Sequence, residues 1–277
     1  MEHLIEIKNL NVEFHTERAV TKALNGVNLT IDAGESVGLV GESGAGKTTT
    51  ALSMLQMLPK PAGRFTDGDI LYKGNSLMKM SERKMTDIRG NKISMIFQNP
   101  LTSLNPVFSV GEQIAMVLRR HRKLGKKEAM KEAQRLMEMV SIPGERFNDY
   151  PVQFSGGMRQ RIGIAAGLAC NTELLIADEP TTALDVTIQA QVLMLLKELQ
   201  KKENTALLMI THNLGIVSEL CEKVAVMYGG QIIEYGLVQE VFANPAHPYT
   251  VGLLGSLPKL TGPRDELYSI PGTVANP

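Results

Sequence analysis

Apolar and polar residues alternate along residues 4–7 and 12–14, and again along 27–31, the period expected of half-buried strands. Residues 32–35 read Asp-Ala-Gly-Glu, a turn, and 37–40 form a short, largely apolar strand of the kind buried on both faces. A glycine-rich loop follows. The pattern then predicts a helix over 47–58, ended by Pro59 and Pro61, and a strand over 93–97. Between 110 and 148 the spacing becomes helical: Ala129, Ala133, Leu136 and Val140 share a face over 128–140. Residues 155–169 predict a further helix carrying Met158, Ile162, Ala165 and Ala169 on one side. Strands and helices alternate afterwards: strand 174–177, helix 187–200, strand 206–210, helix 214–220, strand 224–227. Such alternation indicates a mainly parallel sheet with helices on its faces. The expected architecture is an α/β core interrupted by a helical insert, with a Pro- and Gly-rich appendage at the C-terminal end.

Composition narrows the function. Of 277 residues, 43% are hydrophobic, enough for a sizeable core. Lys plus Arg and Asp plus Glu each total 29, a balance that argues against a nucleic-acid-coating protein. No stretch approaches the roughly 18–20 apolar residues needed to span a bilayer. Met1-Glu2-His3 lacks the basic start of a signal peptide, so a cytoplasmic location is expected, with membrane contact through a partner. Cys170 and Cys221 belong to no paired-cysteine motif and read as small buried apolar residues in a reducing compartment.

Gly41-Glu42-Ser43-Gly44-Ala45-Gly46-Lys47-Thr48 fits G-x-x-x-x-G-K-[ST] completely, between a predicted strand and a predicted helix. Glycines let the backbone bring its N–H groups close to phosphate oxygens, and the helix N-terminus adds a positive dipole end. Lys47 supplies a mobile positive charge, and Thr48 offers a hydroxyl oxygen to Mg²⁺, with Thr49 beside it. A second element is the apolar strand ending in Asp178 and Glu179. Ligands of open parallel sheets bind beyond the carboxyl ends of strands, and successive side chains point opposite ways. Asp178 therefore suits the Mg²⁺ shell, and Glu179 suits the role of general base toward an attacking water. Read alone, the pair is a solvated acidic turn before Pro180; together with the phosphate loop it becomes a joint site.

Ser155-Gly156-Gly157-Met158-Arg159-Gln160-Arg161 opens the helix at 155. Alone it is a capped helix start. In company with the phosphate loop it resembles the signature sequence of ABC ATPases, with Phe154 in place of leucine and Met158 in place of glutamine. Further landmarks follow in family order. Gln98 resembles the Q-loop glutamine, Ala183-Leu184-Asp185 the D-loop, and His212 the switch histidine at the γ-phosphate; Phe14 stands where an aromatic stacks on adenine. The resemblance implies a P-loop NTPase core with a mainly parallel sheet, an N-terminal antiparallel β region and a helical insert. The boundaries it implies are a core of 1–98 and 166–245, a helical signature subdomain of 99–165 and a C-terminal extension of 246–277. It implies ATP and Mg²⁺ as ligands, with Gln98 and Asp178 near the metal and Glu179, His212, Gln98 and Lys47 serving hydrolysis. It also implies that a second ATPase subunit completes the site. Ser155, Gly156 and Gly157 then contact, in trans, the phosphate held by the partner copy's loop, with Asp185 at the same junction.

Residues 98–106, Gln-Asn-Pro-Leu-Thr-Ser-Leu-Asn-Pro, resemble the Q-loop region of dipeptide and oligopeptide importers. His247-Pro248-Tyr249-Thr250, then Gly252-Leu253-Leu254 and Ile270-Pro271-Gly272, resemble the C-terminal extension of peptide and nickel importer ATPases. The implied partners are transmembrane permease subunits, contacted through the helical insert, and an extracytoplasmic substrate-binding protein indirectly. Nickel and glutathione importers share these features and stay open as alternatives. Many relatives continue into a cysteine-bearing tail, which in some binds an iron–sulfur cluster. No cluster is expected in this chain, because Cys170 and Cys221 lie outside the matching region. A soluble ABC ATPase acting on DNA or ribosomes fits less well. Too few residues separate Gln98 from Ser155 for a long coiled coil, and there is a single phosphate loop. The intact Lys47, Asp178, Glu179 and His212 argue against a binding module that has lost hydrolysis. The basic run Arg119-Arg120-His121-Arg122-Lys123 reads as a solvated helix face.

Overall fold

The computed structural model describes residues 2–17, 19–99, 103–170, 172–181 and 184–256, with the backbone alone at 199, 202 and 203. Pro100, Leu101 and Thr102 of the Q-loop segment, Ala183 of the D-loop and the Ile270-Pro271-Gly272 segment lie outside the described residues. The chain divides into two compact units, Met1–Lys79 with Met209–Pro277, and Met80–Leu208. The second unit takes in strands as well as the helices expected between 99 and 165.

The first unit begins with β1 (Ile5–His15), β2 (Val20–Ile31), β3 (Ser36–Val40), α1 (Lys47–Met54), β4 (Gly63–Tyr72) and β5 (Asn75–Ser76). The second holds α2 (Glu82–Ile88), β6 (Ile93–Ile96), α3 (Val110–Arg122), α4 (Lys126–Met139), α5 (Gly156–Gly167), β7 (Leu174–Asp178) and α6 (Val186–Glu203). The boundary falls inside β8 (Ala206–Ile210). The chain then adds α7 (Leu214–Leu220), β9 (Lys223–Tyr228), β10 (Gln231–Leu237), α8 (Val238–Ala243) and α9 (Pro248–Gly255) to the first unit.

In the first unit, β2, β1, β4 and β5 form an antiparallel sheet in that order. The expected N-terminal strands 4–7 and 12–14 are one long strand, β1, whose register shifts between Ile7 and Leu10 and again before Val12. Its inward face buries Ile5, Ile7, Leu10 and Val12. Beside it, β3 pairs in parallel with β9, and β10 runs antiparallel to β9. All five residues of β3 are buried, as the continuous apolar run implied. In the second unit β6 and β7 pair in parallel. There α3, α4 and α5 pack on one another, burying Ile114, Leu118, Ala129, Ala133, Leu136 and Ile162. Parallel strands, an antiparallel sheet and covering helices make up the α/β fold that the sequence implied. Among the described residues no helix is long and apolar enough to cross a membrane.

Helix α1 is shorter than the expected 47–58, and prolines do not end it. Gln56 sits in the left-handed region at φ 49°, its N–H donates to the Ser53 carbonyl (3.0 Å), and the Met57 N–H reaches back to Leu52 (2.9 Å). This Schellman pattern satisfies the last carbonyls and turns the chain before Pro59 arrives. The described part of the C-terminal appendage includes helix α9. Pro248 occupies the first turn of α9, where its missing N–H costs nothing, and the His247 ring caps the helix by accepting from the Tyr249 N–H.

Candidate functional site

In the first unit, β3 delivers the chain into the loop of Gly41, Glu42, Ser43, Gly44, Ala45 and Gly46, and α1 begins at Lys47. The first and last glycines are required by close approach. A Cβ on Gly41 (φ 149°) would stand 2.1 Å from the Met227 carbonyl oxygen, and one on Gly46 (φ 104°) would stand 2.7 Å from that of Ala23. Gly46 is also the N-cap residue of α1, without a side-chain cap, and the positive end of the helix dipole faces the loop. Lys47 is buried to 8% exposure, and its Nζ donates to the carbonyls of Gly41 and Glu42, each at 2.7 Å. Ser43, Gly44 and Thr48 are exposed and Thr49 is half-buried, whereas Thr50 is buried with its hydroxyl on the Gly46 carbonyl (3.0 Å). The loop thus presents one side to solvent and anchors the other.

His212 belongs to the same unit. The Thr211 N–H donates to the Leu39 carbonyl at 3.4 Å, which sets His212 just past the end of β8, beside the strand that feeds the phosphate loop. His212 and Asn213 are exposed; the Asn213 side chain caps α7 through the N–H groups of Gly215 and Ile216. Phe14 lies near the end of β1, opposite Thr21 and Gly63, half-buried, with one ring edge toward Gly63.

The second unit gathers Gln98, Asp178 and Glu179. Asp178 ends β7 and is 2% exposed. Glu179 lies just beyond the strand at φ 45°, a left-handed conformation that costs an ordinary residue on the order of 1–2 kcal/mol. That turn, and not strand alternation, aims its carboxylate. Gln98 Nε2 donates to Glu179 Oε2 at 2.8 Å, so the structure brings together two residues that the sequence placed on separate elements. Ser155 caps α5, its hydroxyl accepting from the Met158 N–H at 3.3 Å. Ser155 and Gly156 are exposed, Gly157 is half-buried, and among the described residues no atom outside the neighbouring residues and the helix's own backbone lies within 4 Å of where a Cβ on Gly156 would stand. Phe154 is buried, with the Arg146 guanidinium 4.0 Å from its ring centroid; Arg146 also bonds Asp149 (2.7 Å) and the Gln153 carbonyl (3.1 Å). Asp185 is exposed and caps α6 through the Ile188 N–H (3.0 Å).

One residue in this unit escaped the sequence reading. Gln160, 2% exposed, points its Nε2 at the Phe97 carbonyl (3.4 Å), tying α5 to the strand end that carries Gln98. An amide on the same helical face as Ile164 was the available signal. Thr48 and Asp178 are hard oxygen donors of the type Mg²⁺ takes. Among the described residues no group of three or more His, Cys, Asp or Glu could hold a metal by itself.

A family profile described as "ABC transporter" matches residues 24–182, more than half of the chain and the stretch from the phosphate loop to beyond Glu179. The chain belongs to the ABC transporter family. A second profile, the "Oligopeptide/dipeptide transporter, C-terminal region", matches residues 233–277. This ABC family member is 52% identical over 273 residues to the oligopeptide transport ATP-binding protein OppD of Bacillus subtilis, covering 98% of the chain and 76% of that relative. It is 49% identical over 275 residues to the dipeptide transport ATP-binding protein DppD of the same organism, covering 99% and 82%. Among solved structures it is similar to the ATP-binding cassette MJ0796 in a dimeric, post-hydrolysis state bound to ADP and Pi. The TM-score is 0.77 at 26% identity, covering 84% of the chain and 98% of that protein.

Proposed function

We propose that this ABC family member binds and hydrolyses ATP and thereby powers the import of di- or oligopeptides through permease subunits, at the cytoplasmic face of a membrane. The observation that carries the hydrolytic part is the 2.8 Å bond from Gln98 to a Glu179 carboxylate held in a strained backbone turn. Strain of this kind persists where the fold needs a side chain in one orientation. Glu179 is the general base, Gln98 orients its carboxylate and senses the nucleotide, and His212 contacts the terminal phosphate. Lys47 and the N–H groups from Gly44 to Thr48 neutralise the phosphate chain, with Phe14 against the adenine. Thr48 and Asp178 would be the residues to hold Mg²⁺, which when bound would supply charge neutralisation.

A second ATPase subunit completes the site, its Ser155, Gly156 and Gly157 meeting the phosphate from the other side and its Asp185 lying at the junction. The exposed helix start at Ser155 and the open space at Gly156 support this reading. So does the dimeric state of the related cassette. The 233–277 match and the peptide-transport relatives support peptides as cargo. The segment 99–165 is assigned to the permease contact, and an extracytoplasmic binding protein to the far side of the membrane. The test is Glu179→Gln in the full chain with its permease, measured for ATP turnover and for uptake of labelled peptides. Loss of both, with ATP binding retained, is expected. Wild-type turnover in the variant would refute the base assignment, and uptake of nickel or glutathione in place of peptide by the unaltered transporter would refute the cargo.

A further inference from the structure

The C-terminal helix α9 reaches back to the phosphate loop. The backbone N–H of Glu42 donates to the hydroxyl oxygen of Tyr249 at 3.0 Å. The carbonyl of Gly41, in the same peptide group, accepts from Lys47 Nζ at 2.7 Å. One peptide plane, at the turn from β3 into the loop, is therefore held at both ends. Tyr249 is 7% exposed, and its ring centroid lies 4.5 Å from that of Tyr228 at the end of β9, tilted by 38°. The neighbouring Met227 carbonyl is the group against which Gly41 is packed. Burial pushes the Tyr249 phenol up from its ordinary pKa. Helix α9 is itself anchored, because the Glu234 carboxylate of β10 accepts the N–H groups of Ala246 (2.8 Å) and His247 (3.2 Å).

We propose that Tyr249 is a positioning residue for nucleotide binding: its hydroxyl fixes the Gly41–Glu42 peptide, and through it the loop that carries Lys47, so that the C-terminal helix sets part of the affinity for ATP. This rests on reading the Gly41–Thr48 loop as the nucleotide site. A rotated peptide would withdraw the carbonyl that docks the Lys47 ammonium and would loosen the loop's first turn. Tyr249 does this through the backbone; it has no part in the chemistry itself.

The experiment uses the full chain and calorimetric titration with Mg-ATP, followed by steady-state turnover. Tyr249→Phe keeps the ring on Tyr228 and removes only the hydroxyl. Its Kd for Mg-ATP and its KM should both rise about three- to tenfold, the worth of one hydrogen bond. The kcat at saturation should stay within about twofold of wild type, as expected when binding and not chemistry is affected, and the melting temperature without nucleotide should fall by only about 2–4 °C. Tyr228→Phe, which retains the bond to the loop, should bind as wild type. Lys47→Ala separates the two levels of the argument. If Lys47→Ala loses ATP while Tyr249→Phe binds normally, or loses kcat with KM unchanged, the positioning role is wrong. If Lys47→Ala binds as wild type, the reading of the loop is wrong.

Discussion

Glu179 offers a test in which stability and activity should move in opposite directions. Its φ of 45° places a side chain in the left-handed region. An L-residue there carries a cost of about 1–2 kcal/mol, which glycine escapes. Glycine in turn gives up about 0.5–1 kcal/mol through the greater freedom of its unfolded chain. The informative comparison is Glu179→Gly against Glu179→Ala. Both lack the carboxylate and the bond from Gln98, so these losses cancel and only the backbone difference remains. Glu179→Gly should be the more stable by about 0.75 kcal/mol, the difference between the midpoints of these two terms. Urea denaturation without nucleotide measures this as a higher midpoint at unchanged slope. Phosphate release should meanwhile fall about 10²- to 10⁴-fold in both variants, the range for loss of a general base. An alanine variant as stable as the glycine variant would refute the claim of strain. Turnover close to wild type in either would refute the role of the carboxylate.

Lys47→Ala should abolish measurable Mg-ATP binding and turnover, checked by titration and phosphate release, since Nζ is the charge buried within the loop. Gly46→Ala should cost about 2 kcal/mol or more and lose ATP binding, because its Cβ would meet a backbone carbonyl as well as an unfavourable φ; thermal melts read the first effect. Cys221, pushed up to about 12 by burial and by Glu222, should resist thiol reagents at pH 8 until denaturant is added. The same shift makes the folded state hold its proton while the unfolded thiol loses one. Stability should therefore fall as pH rises from 9.0 toward about 12, a trend that Tyr235, raised by burial, reinforces; urea midpoints across that range check it.

Strands β3, β7 and β8 were legible because strands buried on both faces read as continuous apolar runs, as in residues 37–40, 174–177 and 206–210. Strand β4 was not, because Asp67-Gly68-Asp69 interrupts its alternation. Gly68 stands at φ 89° against the Asn9 backbone, where the pairing with β1 shifts register, so the local sequence obeys a bulge in its neighbour. Strand β10 alternates weakly because most of its residues are only half-buried. The loop of Gly41–Thr48 and the Asp178-Glu179 pair could be read from residue type and position alone. The bond between Gln98 and Glu179, the turn that aims Glu179 and the reach of Tyr249 to Glu42 could not. Each depends on φ values or on residues distant in sequence, and periodicity carries neither.

The stop signal of α1 is written in its own backbone, at Gln56, and not in the prolines downstream. The helix that carries Lys47 at its first residue is therefore insulated from the segment that follows it. Insertions, deletions or proline replacements after Met57 can alter the path into β4 without paying out or taking up a turn of α1. The phosphate-facing end keeps its geometry while the far end of the segment is free to vary, a freedom that a helix ended by Pro59 would not have.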